Sequence, residues 1–266
     1  MNQHHDPFFD VPKTVVTTSE GEVQLPICYL DCSHYMALFR VDAARAAAQL
    51  QNLPLAPVLV ARKAVAILSF FQYRQTTLGP YHEVGLALLV TPRGHEATLG
   101  SLTDLLQQTR SESLGSYVLD LPVSTAAANA AGRELWGYPK FVADLPIALD
   151  GDRFQARVLD PDGGQILELS GQRGRVLPEA LPGMALVTYS QLGGKFLRTL
   201  VETRASCATS GGGSLVLRVG DSPHRMARNL ADLGLDGQTP KLFQSSEDFQ
   251  SLLFGGVEID LMQANL

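Results

Sequence analysis

The densest group of residue types that could carry out chemistry lies between Gly132 and Lys140, in the sequence GRELWGYPK. A lysine amine attacks a carbonyl carbon only when it is unprotonated, and a free lysine, with a pKa of about 10.4, is almost entirely protonated at neutral pH. Lowering the pKa of such a lysine to about 7 or 8 requires exclusion of water or a neighbouring cation. Around Lys140, the side chains of Trp136, Tyr138 and Phe141 can supply an apolar wall.

Glu83 is the second candidate, because it stands in an apolar, strand-like run from Tyr81 to Val90. An ionised carboxylate in such a strand is costly unless it is paired. We therefore favour a proton-handling role for Glu83, with a structural ion pair or an exposed edge position as the alternatives. Alternation along a strand places Tyr81 on the same face as Glu83 and His82 on the other face, so Tyr81 is a candidate pocket hydroxyl.

The elements that must position these residues are mostly strands. Strand patterns cover 29–41, 58–73, 81–90 and 116–122, and the pattern at 58–73 consists of two runs that break near Arg62. After residue 141, alternating runs lie on both sides of a hairpin predicted at 162–164. Short helices are predicted at 42–50 with Asp42 as N-cap, at 124–135 with Ser124 as N-cap, and at 224–233, and a last strand at 252–261. The pattern predicts a strand-dominated α+β chain in one continuous domain, whose sheets curve round a cavity.

Composition excludes several classes of function. The 266 residues include 45% hydrophobic and 18% charged residues, enough apolar surface for a sizeable core. The 21 basic and 27 acidic residues are spread along the chain, so neither nucleic acid nor a membrane surface is expected as a partner. Three cysteines give no disulfide framework, and we expect a cytoplasmic protein that binds a small molecule. Cys28 and Cys32 lack a second pair at zinc spacing, so no metal is expected.

The GRELWGYPK segment closely resembles the lysine motif of the acetoacetate decarboxylase superfamily, with Lys140 at the position of the lysine that forms a Schiff base. TTLGPYHEVGLAL, at 76–88, is similar to the segment that carries an active-site glutamate, at Glu83, and HRMARNLADLGL, at 224–235, is similar to a helix before the last strands. The resemblance covers roughly residues 30 to 260. In acetoacetate decarboxylase an apolar pocket or a neighbouring cation makes the lysine nucleophilic.

The resemblance implies a curved antiparallel β-barrel or cone with a few short helices, spanning 1–266 as a single domain with a loosely structured segment at 1–20. It further implies a homo-oligomeric carbon–carbon lyase without a cofactor, in which Lys140 and Glu83 are catalytic and a keto acid is the substrate. Further substrate contacts are expected from residues near the two catalytic groups, namely Trp136, Tyr138, Phe141, Tyr81, Arg133 and Glu134. For Arg133 and Glu134, a purely structural role is preferred.

The sequence also departs from the family pattern. Phe141 follows Lys140 where the decarboxylases have a second lysine, Cys32 or Ser33 aligns with an early arginine, and Leu68 or Ser69 aligns with a second glutamate. Arg40, Tyr73 or Arg74 could replace the lost arginine as a clamp for a carboxylate. Decarboxylation of a β-keto acid is therefore only slightly preferred over aldolase or dehydratase chemistry on a pyruvate-like 2-oxo acid. A barrel that binds a ligand without chemistry is the alternative from another class.

Overall fold

The computed structural model of the protein describes residues 6–101, 114–177, 181–182 and 186–260. In chain order, the strands are β1 Thr14–Thr18, β2 Gly21–Leu25, β3 Ile27–Val41, β4 Leu55–Pro57, β5 Leu59–Val60, β6 Lys63–Thr76, β7 Tyr81–Pro92, β8 Thr98–Leu99, β9 Gly115–Val123, β10 Lys140–Val142, β11 Ile147–Asp150, β12 Arg153–Leu159, β13 Gln165–Gln172, β14 Leu181–Pro182, β15 Leu186–Leu192, β16 Lys195–Arg204, β17 Ser206–Ser210, β18 Val216–Val219, β19 Leu242–Leu253 and β20 Val257–Ile259. The α-helices are α1 Ala43–Gln49, α2 Ala126–Trp136 and α3 Arg225–Asp232.

Seven of these strands close into a barrel, in the order β3, β6, β7, β9, β15, β16, β19 and back to β3. Every pairing in the ring is antiparallel except that of β9 with β15. Closure leaves no free edge in the ring, because each strand pairs on both sides. The predicted strand-dominated, curved barrel with a few short helices is confirmed.

Strand β7 shows why the sequences of the barrel strands are nearly continuous apolar runs. Its even-numbered residues, from Val84 to Val90, belong to the largest hydrophobic cluster, which lies outside the barrel. Its odd-numbered residues, from Glu83 to Leu89, point into the barrel and line a cavity. Both faces are buried, so the apolar pattern alone could not distinguish the cavity face from the core face.

The outer face of the barrel packs against a second, antiparallel sheet with the order β11, β12, β13, β18. Phe154 of β12 is fully buried and contacts Tyr35, Phe70 and Phe243 of the barrel at ring-centroid distances of 5.0 to 5.3 Å. Helix α3 completes this core through Met226 and its neighbours. The hairpin predicted at 162–164 joins β12 to β13. The main hydrophobic core therefore lies between this layer and the outer face of the barrel, and the cavity lies on the opposite, inner face of the strands.

Several predicted boundaries can be compared with the structure. Asp42 caps α1 as predicted, with its carboxylate accepting a hydrogen bond from the Ala44 amide. Thr125, not Ser124, caps α2, because the Ser124 hydroxyl accepts instead from the His82 amide. The strand predicted at 252–261 is wrong in its bounds, since β19 ends and the shorter β20 begins within it.

The N-terminal segment also differs from the expectation of loose structure over 1–20. Within its described part, Pro7–Phe9 form a short 3-10 helix and β1 pairs with β2. Cys28 and Cys32 are buried free thiols, and Cys207 is half-buried. None of the helices in the described ranges is long and apolar enough to cross a bilayer.

Candidate active site

The barrel interior contains a cavity of about 160 Å³ with a mainly apolar lining. An engineered protein cavity of roughly 150 Å³ is large enough to bind benzene, so a small organic molecule fits here. Its walls come from β3, β6, β7, β9, β15, β16 and β19, together with Tyr138 and Lys140. Among the described lining residues, Lys140 and Glu83 are the only charged ones.

Lys140 and Glu83 form a buried ion pair at the cavity wall. Lys140 Nζ donates to Glu83 Oε2 at 2.6 Å, and the two side chains are only 5% and 9% exposed. The second carboxylate oxygen of Glu83 accepts a hydrogen bond of 3.3 Å from the Tyr73 hydroxyl. An amine and a carboxylate in direct contact can exchange a proton without water, which is what acid–base assistance to a nucleophilic lysine requires.

Strand pairing brings these two residues together although 57 positions separate them in the chain. Glu83 of β7 is paired with Val123 of β9, and β9 continues the sheet to β10, where Lys140 pairs with Leu121. The amine and the carboxylate thus approach each other across a single intervening strand. Because β10 runs parallel to β9, a crossover connection is required, and helix α2 provides it.

Two glycines of the α2 segment make room for this arrangement. A Cβ on Gly132 would lie 2.3 Å from Lys140 Cδ and 2.4 Å from Lys140 Cε, so the lysine side chain occupies the space that a larger residue would fill. Gly137 ends the helix in the left-handed conformation with φ of 65°, and a Cβ there would lie 1.9 Å from the Gln191 carbonyl oxygen. Both glycines of GRELWGYPK therefore position the lysine.

Four tyrosines lie near the ion pair, and of these Tyr29, Tyr73 and Tyr138 line the cavity, whereas Tyr81, which was expected to contact the substrate, does not. Tyr29 and Tyr81 share a hydrogen bond of 3.0 Å, and Lys140 Nζ lies 5.7 Å from the centroid of the Tyr81 ring. Burial, and after it the charge of Glu83, raises the pKa of Tyr29, Tyr73 and Tyr81 well above that of free tyrosine. Burial also raises the pKa of Tyr138 to about 12. All four phenols are therefore protonated at neutral pH and can donate hydrogen bonds.

Of the aromatic residues expected to enclose Lys140, Tyr138 lines the cavity and the other two do not. The Trp136 indole N–H donates to the Phe254 carbonyl at 2.8 Å, and its ring stacks behind Tyr138 with centroids 6.0 Å apart. Phe141 packs on His224 at 4.1 Å, outside the barrel, because alternation along β10 turns it away from the Lys140 face. The structure therefore gives Trp136 a supporting position and moves Phe141 out of the site.

Arg133 and Glu134 lie outside the cavity, in the structural roles that were preferred for them. Arg133 donates to the Lys140 carbonyl at 3.0 Å and so ties α2 to β10. The Glu134 carboxylate is exposed and accepts hydrogen bonds from the Ser19 amide and hydroxyl. Both side chains hold the loop around the lysine.

The arginines considered as a carboxylate clamp are engaged elsewhere. Arg40 donates to the carbonyls of Val60 and Ala61, and Arg74 pairs with Asp31 at 2.6 Å. Of the five residues that align with the three substituted family positions, Ser69 lines the cavity and Cys32, Ser33, Leu68 and Phe141 do not. Ser33 instead donates to Glu247. Within the described ranges, no group of three His, Cys, Asp or Glu residues could hold a metal ion.

Sequence reasoning missed several residues of the site. Tyr29 of β3 was not expected in the site, and Tyr73 of β6, considered only as a clamp for a carboxylate, donates to Glu83 instead. Both reach the pair only through the register of the barrel. Phe249 and Thr188 line the cavity from β19 and β15, and Thr188 lies 2.6 Å from the Tyr138 hydroxyl. Gly132 lies within the GRELWGYPK segment, and its place there, in the helix that leads to Lys140, was the available signal for its packing role.

Replacing Glu83 by glutamine is expected to lower the free energy of unfolding by about 3 to 5 kcal/mol, because it leaves a buried ammonium without its counter-ion. Urea unfolding at neutral pH measures the change. The double variant Glu83→Gln with Lys140→Met removes both charges and should recover most of that loss.

The matched control for this substitution is Glu258→Gln. Glu258 pairs with Lys195 at a similar 2.7 Å, but both side chains are more than half exposed. Exposed pairs contribute about 1 kcal/mol or less, so this variant should unfold almost as the wild type does. Equal losses in the Glu83 and Glu258 variants would contradict a structural dependence on the buried pair.

His34 supports the cavity wall from behind and makes stability depend on pH. Its ring stacks on Phe71 at 4.4 Å and lies 4.8 Å from Phe249, and its Nε2 is buried without a hydrogen-bond partner. Burial lowers the pKa of His34 to about 3. Since an unfolded histidine has a pKa of about 6.5, the unfolded chain binds the extra proton between pH 6.5 and 3, and the folded state loses stability as the pH falls through that window.

The variant His34→Phe is therefore expected to lose about 2 kcal/mol less stability than the wild type between pH 7 and pH 5. Urea unfolding at the two pH values gives the difference, and His95→Gln, at an exposed loop position, serves as the control. If the free energy of unfolding falls by the same amount in the wild type and in His34→Phe, protonation of His34 is not the cause of the pH dependence.

A model of the family described as "Acetoacetate decarboxylase (ADC)" matches residues 13–207, more than half of the chain. No curated protein sequence matches the chain.

Similar solved structures agree with the fold. Acetoacetate decarboxylase from Legionella pneumophila subsp. pneumophila str. Philadelphia 1 has 17% identity and a TM-score of 0.64, over 96% of this chain and 94% of that one. An acetoacetate decarboxylase-like enzyme from Sphingomonas wittichii RW1 has 14% identity and a TM-score of 0.62, over 90% and 94%. The enduracididine biosynthesis enzyme MppR, complexed with pyruvate, has 15% identity and a TM-score of 0.60, over 91% and 93%.

Proposed function

Because the chain belongs to the acetoacetate decarboxylase family, we propose that it is a carbon–carbon lyase that acts through an imine between Lys140 and a carbonyl substrate. The observation that supports this most strongly is the contact of 2.6 Å between Lys140 Nζ and Glu83 Oε2 at the wall of an apolar cavity. A carboxylate in direct contact with the amine can accept its proton and so free the nitrogen to attack a carbonyl carbon.

In the proposed first half-reaction, Glu83 takes a proton from Lys140, and the freed Nζ attacks the carbonyl carbon. The carbonyl oxygen then leaves as water, with Glu83 returning the proton, and a protonated imine remains. Its nitrogen accepts the electron pair of the carbon–carbon bond that breaks, which yields an enamine. Protonation of the enamine carbon and hydrolysis of the imine release the product and restore the amine.

Decarboxylation of a β-keto acid is the first candidate reaction. The described cavity lining has no cation other than Lys140, so a carboxylate next to the imine carbon would lie in apolar surroundings. Such surroundings destabilise the localised charge of the carboxylate relative to a state in which that charge is dispersed into the imine. Loss of carbon dioxide is therefore favoured once the imine has formed.

Aldolase or dehydratase chemistry on a pyruvate-like 2-oxo acid is the second candidate. MppR, which shares the fold, has been solved with pyruvate and with the condensation product of pyruvate and imidazole 4-carboxaldehyde. In the present chain, Glu83 lies beside the amine, where a carboxylate can remove a proton from the carbon next to the imine. The same pair of residues thus supports an enamine that attacks an aldehyde.

Product analysis distinguishes the two reactions. The purified protein is incubated with 3-oxo acids, and released carbon dioxide is measured; in parallel, pyruvate is offered with aldehydes, and condensation products are sought. A product in either assay that disappears in Lys140→Ala supports the lyase. If carbonyl compounds bind with undiminished affinity to Lys140→Ala and no product forms in either assay, the chain is a binding barrel and the proposal fails.

A further inference from the structure

A row of small and apolar side chains leads away from the catalytic pair along β7. Glu83, Gly85, Ala87 and Leu89 alternate on the cavity face of this strand, and all four line the cavity. With a rise of about 3.4 Å per residue, the row extends about 20 Å from the carboxylate-bearing residue to its far end. Leu121 packs over Gly85, with its Cδ1 3.2 Å from where a Cβ would stand, and the small side chain of Ala87 leaves room further along the row.

The neighbouring strand β6 continues the same surface. Its register sets Phe71 opposite Glu83, Ser69 opposite Gly85 and Ile67 opposite Ala87. Phe71, Ser69 and Ile67 also line the cavity. At the far end the lining consists of larger apolar side chains, those of Met36, Leu89 and Leu114, which belong to one hydrophobic cluster. The two rows together form an apolar channel that begins at the ion pair.

The charge of the site determines which groups this channel accepts. Lys140 and Glu83 neutralise each other, and the rest of the described cavity lining supplies only neutral polar side chains, which are hydroxyls such as those of Ser69, Ser116 and Thr188. A second ionised group placed in the channel would lose its water without gaining a counter-ion, which costs several kilocalories per mole. An alkyl chain, by contrast, gains free energy for each methylene that it buries.

We infer that the substrate is a carbonyl compound with an extended, uncharged apolar chain, which lies along the channel from Lys140 towards Leu89 while the carbonyl carbon meets the amine. For decarboxylation this class is a 3-oxo acid with an alkyl chain beyond the ketone. The inference rests on the proposed imine chemistry and adds the specificity of the site. The cavity volume of about 160 Å³ accommodates a chain of roughly six carbons, by comparison with the cavity that binds benzene.

Reductive trapping of methyl ketones tests this specificity without any carboxylate. Lys140 Nζ bonds to the ketone carbon, the oxygen leaves as water with the two amine protons, and borohydride delivers hydride to carbon and solvent a proton to nitrogen, which gives a stable secondary amine. The probes are acetone, 2-butanone, 2-hexanone and 2-octanone, with 7-oxooctanoate as the charged analogue of matched length. Intact mass measures the trapped fraction against probe concentration.

Half-saturating concentration should fall roughly fourfold for each added methylene, or on the order of 10²-fold between 2-butanone and 2-octanone. The concentration that gives half-maximal trapping should be at least about tenfold higher for 7-oxooctanoate than for 2-octanone. In Ala87→Leu, which narrows the channel, the preference for 2-octanone over acetone should fall at least tenfold.

The possible failures of this experiment are distinguishable. If acetone and 2-octanone are trapped at the same concentrations, or if the terminal carboxylate improves trapping, the channel inference is overturned while the imine stands. If no probe is trapped at any concentration, the imine proposal and the inference fall together.

Discussion

Replacing Lys140 by methionine is expected to lower turnover at least roughly 10⁴-fold, because the substitution removes the only amine in the described cavity lining and with it the imine on which the proposed reaction depends. Methionine keeps the length and the apolar stem of lysine, so the cavity shape changes little. The loss should appear in kcat for whichever product the wild type forms, measured under substrate saturation.

Lys195→Met is the matched control for this prediction. Lys195 is also paired with a glutamate, Glu258, but it is exposed and lies far from the cavity lining. Its replacement should leave turnover at the wild-type rate. Turnover of Lys140→Met within tenfold of the wild type would show that the reaction proceeds without the lysine.

Replacing Gly132 by alanine is the second change with a large expected effect. Alanine is favoured over glycine in a helix by about 1 kcal/mol, so the helix itself tolerates the change, but loss of the buried contact between Lys140 and Glu83 should make the folded variant less stable than the wild type. Its Cβ would nevertheless overlap Lys140 Cδ and Cε, which are flexible atoms that can swing aside. A displaced amine no longer meets Glu83 Oε2, and a shift of about 1 Å in a reacting group can lower the rate 10²-fold. We expect a loss of about that size.

A glycine in open space provides the control for that variant. Gly211 has no atom within 4 Å of a Cβ built on it, and Gly211→Ala should leave kcat unchanged. Thermal unfolding of both variants shows whether activity and stability change separately. A Gly132→Ala protein with full activity, or one that has lost activity only because it unfolds, would contradict the positioning role of Gly132.

Local patterns predicted those parts of the structure that depend on neighbours in the chain. The cap of α1 at Asp42 and the helix predicted at 124–135, which corresponds to α2, were readable because helix signals act over a few residues. The Lys140 motif also lies within one continuous segment. Glu83 could be proposed because a carboxylate in an apolar strand needs a partner, although the partner itself was not identified by that argument.

The rest of the site depends on the closure of the barrel. Tyr73 comes beside Glu83 only through the register of β6 with β7, and Phe249 enters the cavity through the pairing of β19 with β3. Phe141 was expected in the pocket because it is adjacent to Lys140 in sequence. Alternation along β10 turns it outward, and this result could be predicted only after β10 had been recognised as a strand. Because the barrel strands are buried on both faces, their apolar sequences do not show which residues face the cavity and which face the core.

The location of a trapped adduct shows most directly whether Lys140 is the nucleophile. Wild-type protein is reduced with borohydride in the presence of 2-octanone, then in separate samples with acetoacetate or pyruvate, and the digested peptides are mapped by mass spectrometry. The account predicts one modified lysine, Lys140, and an unmodified Lys140 in Gly132→Ala at the same probe concentration. Adducts spread over exposed lysines such as Lys63 and Lys195, with Lys140 unmodified, would contradict it.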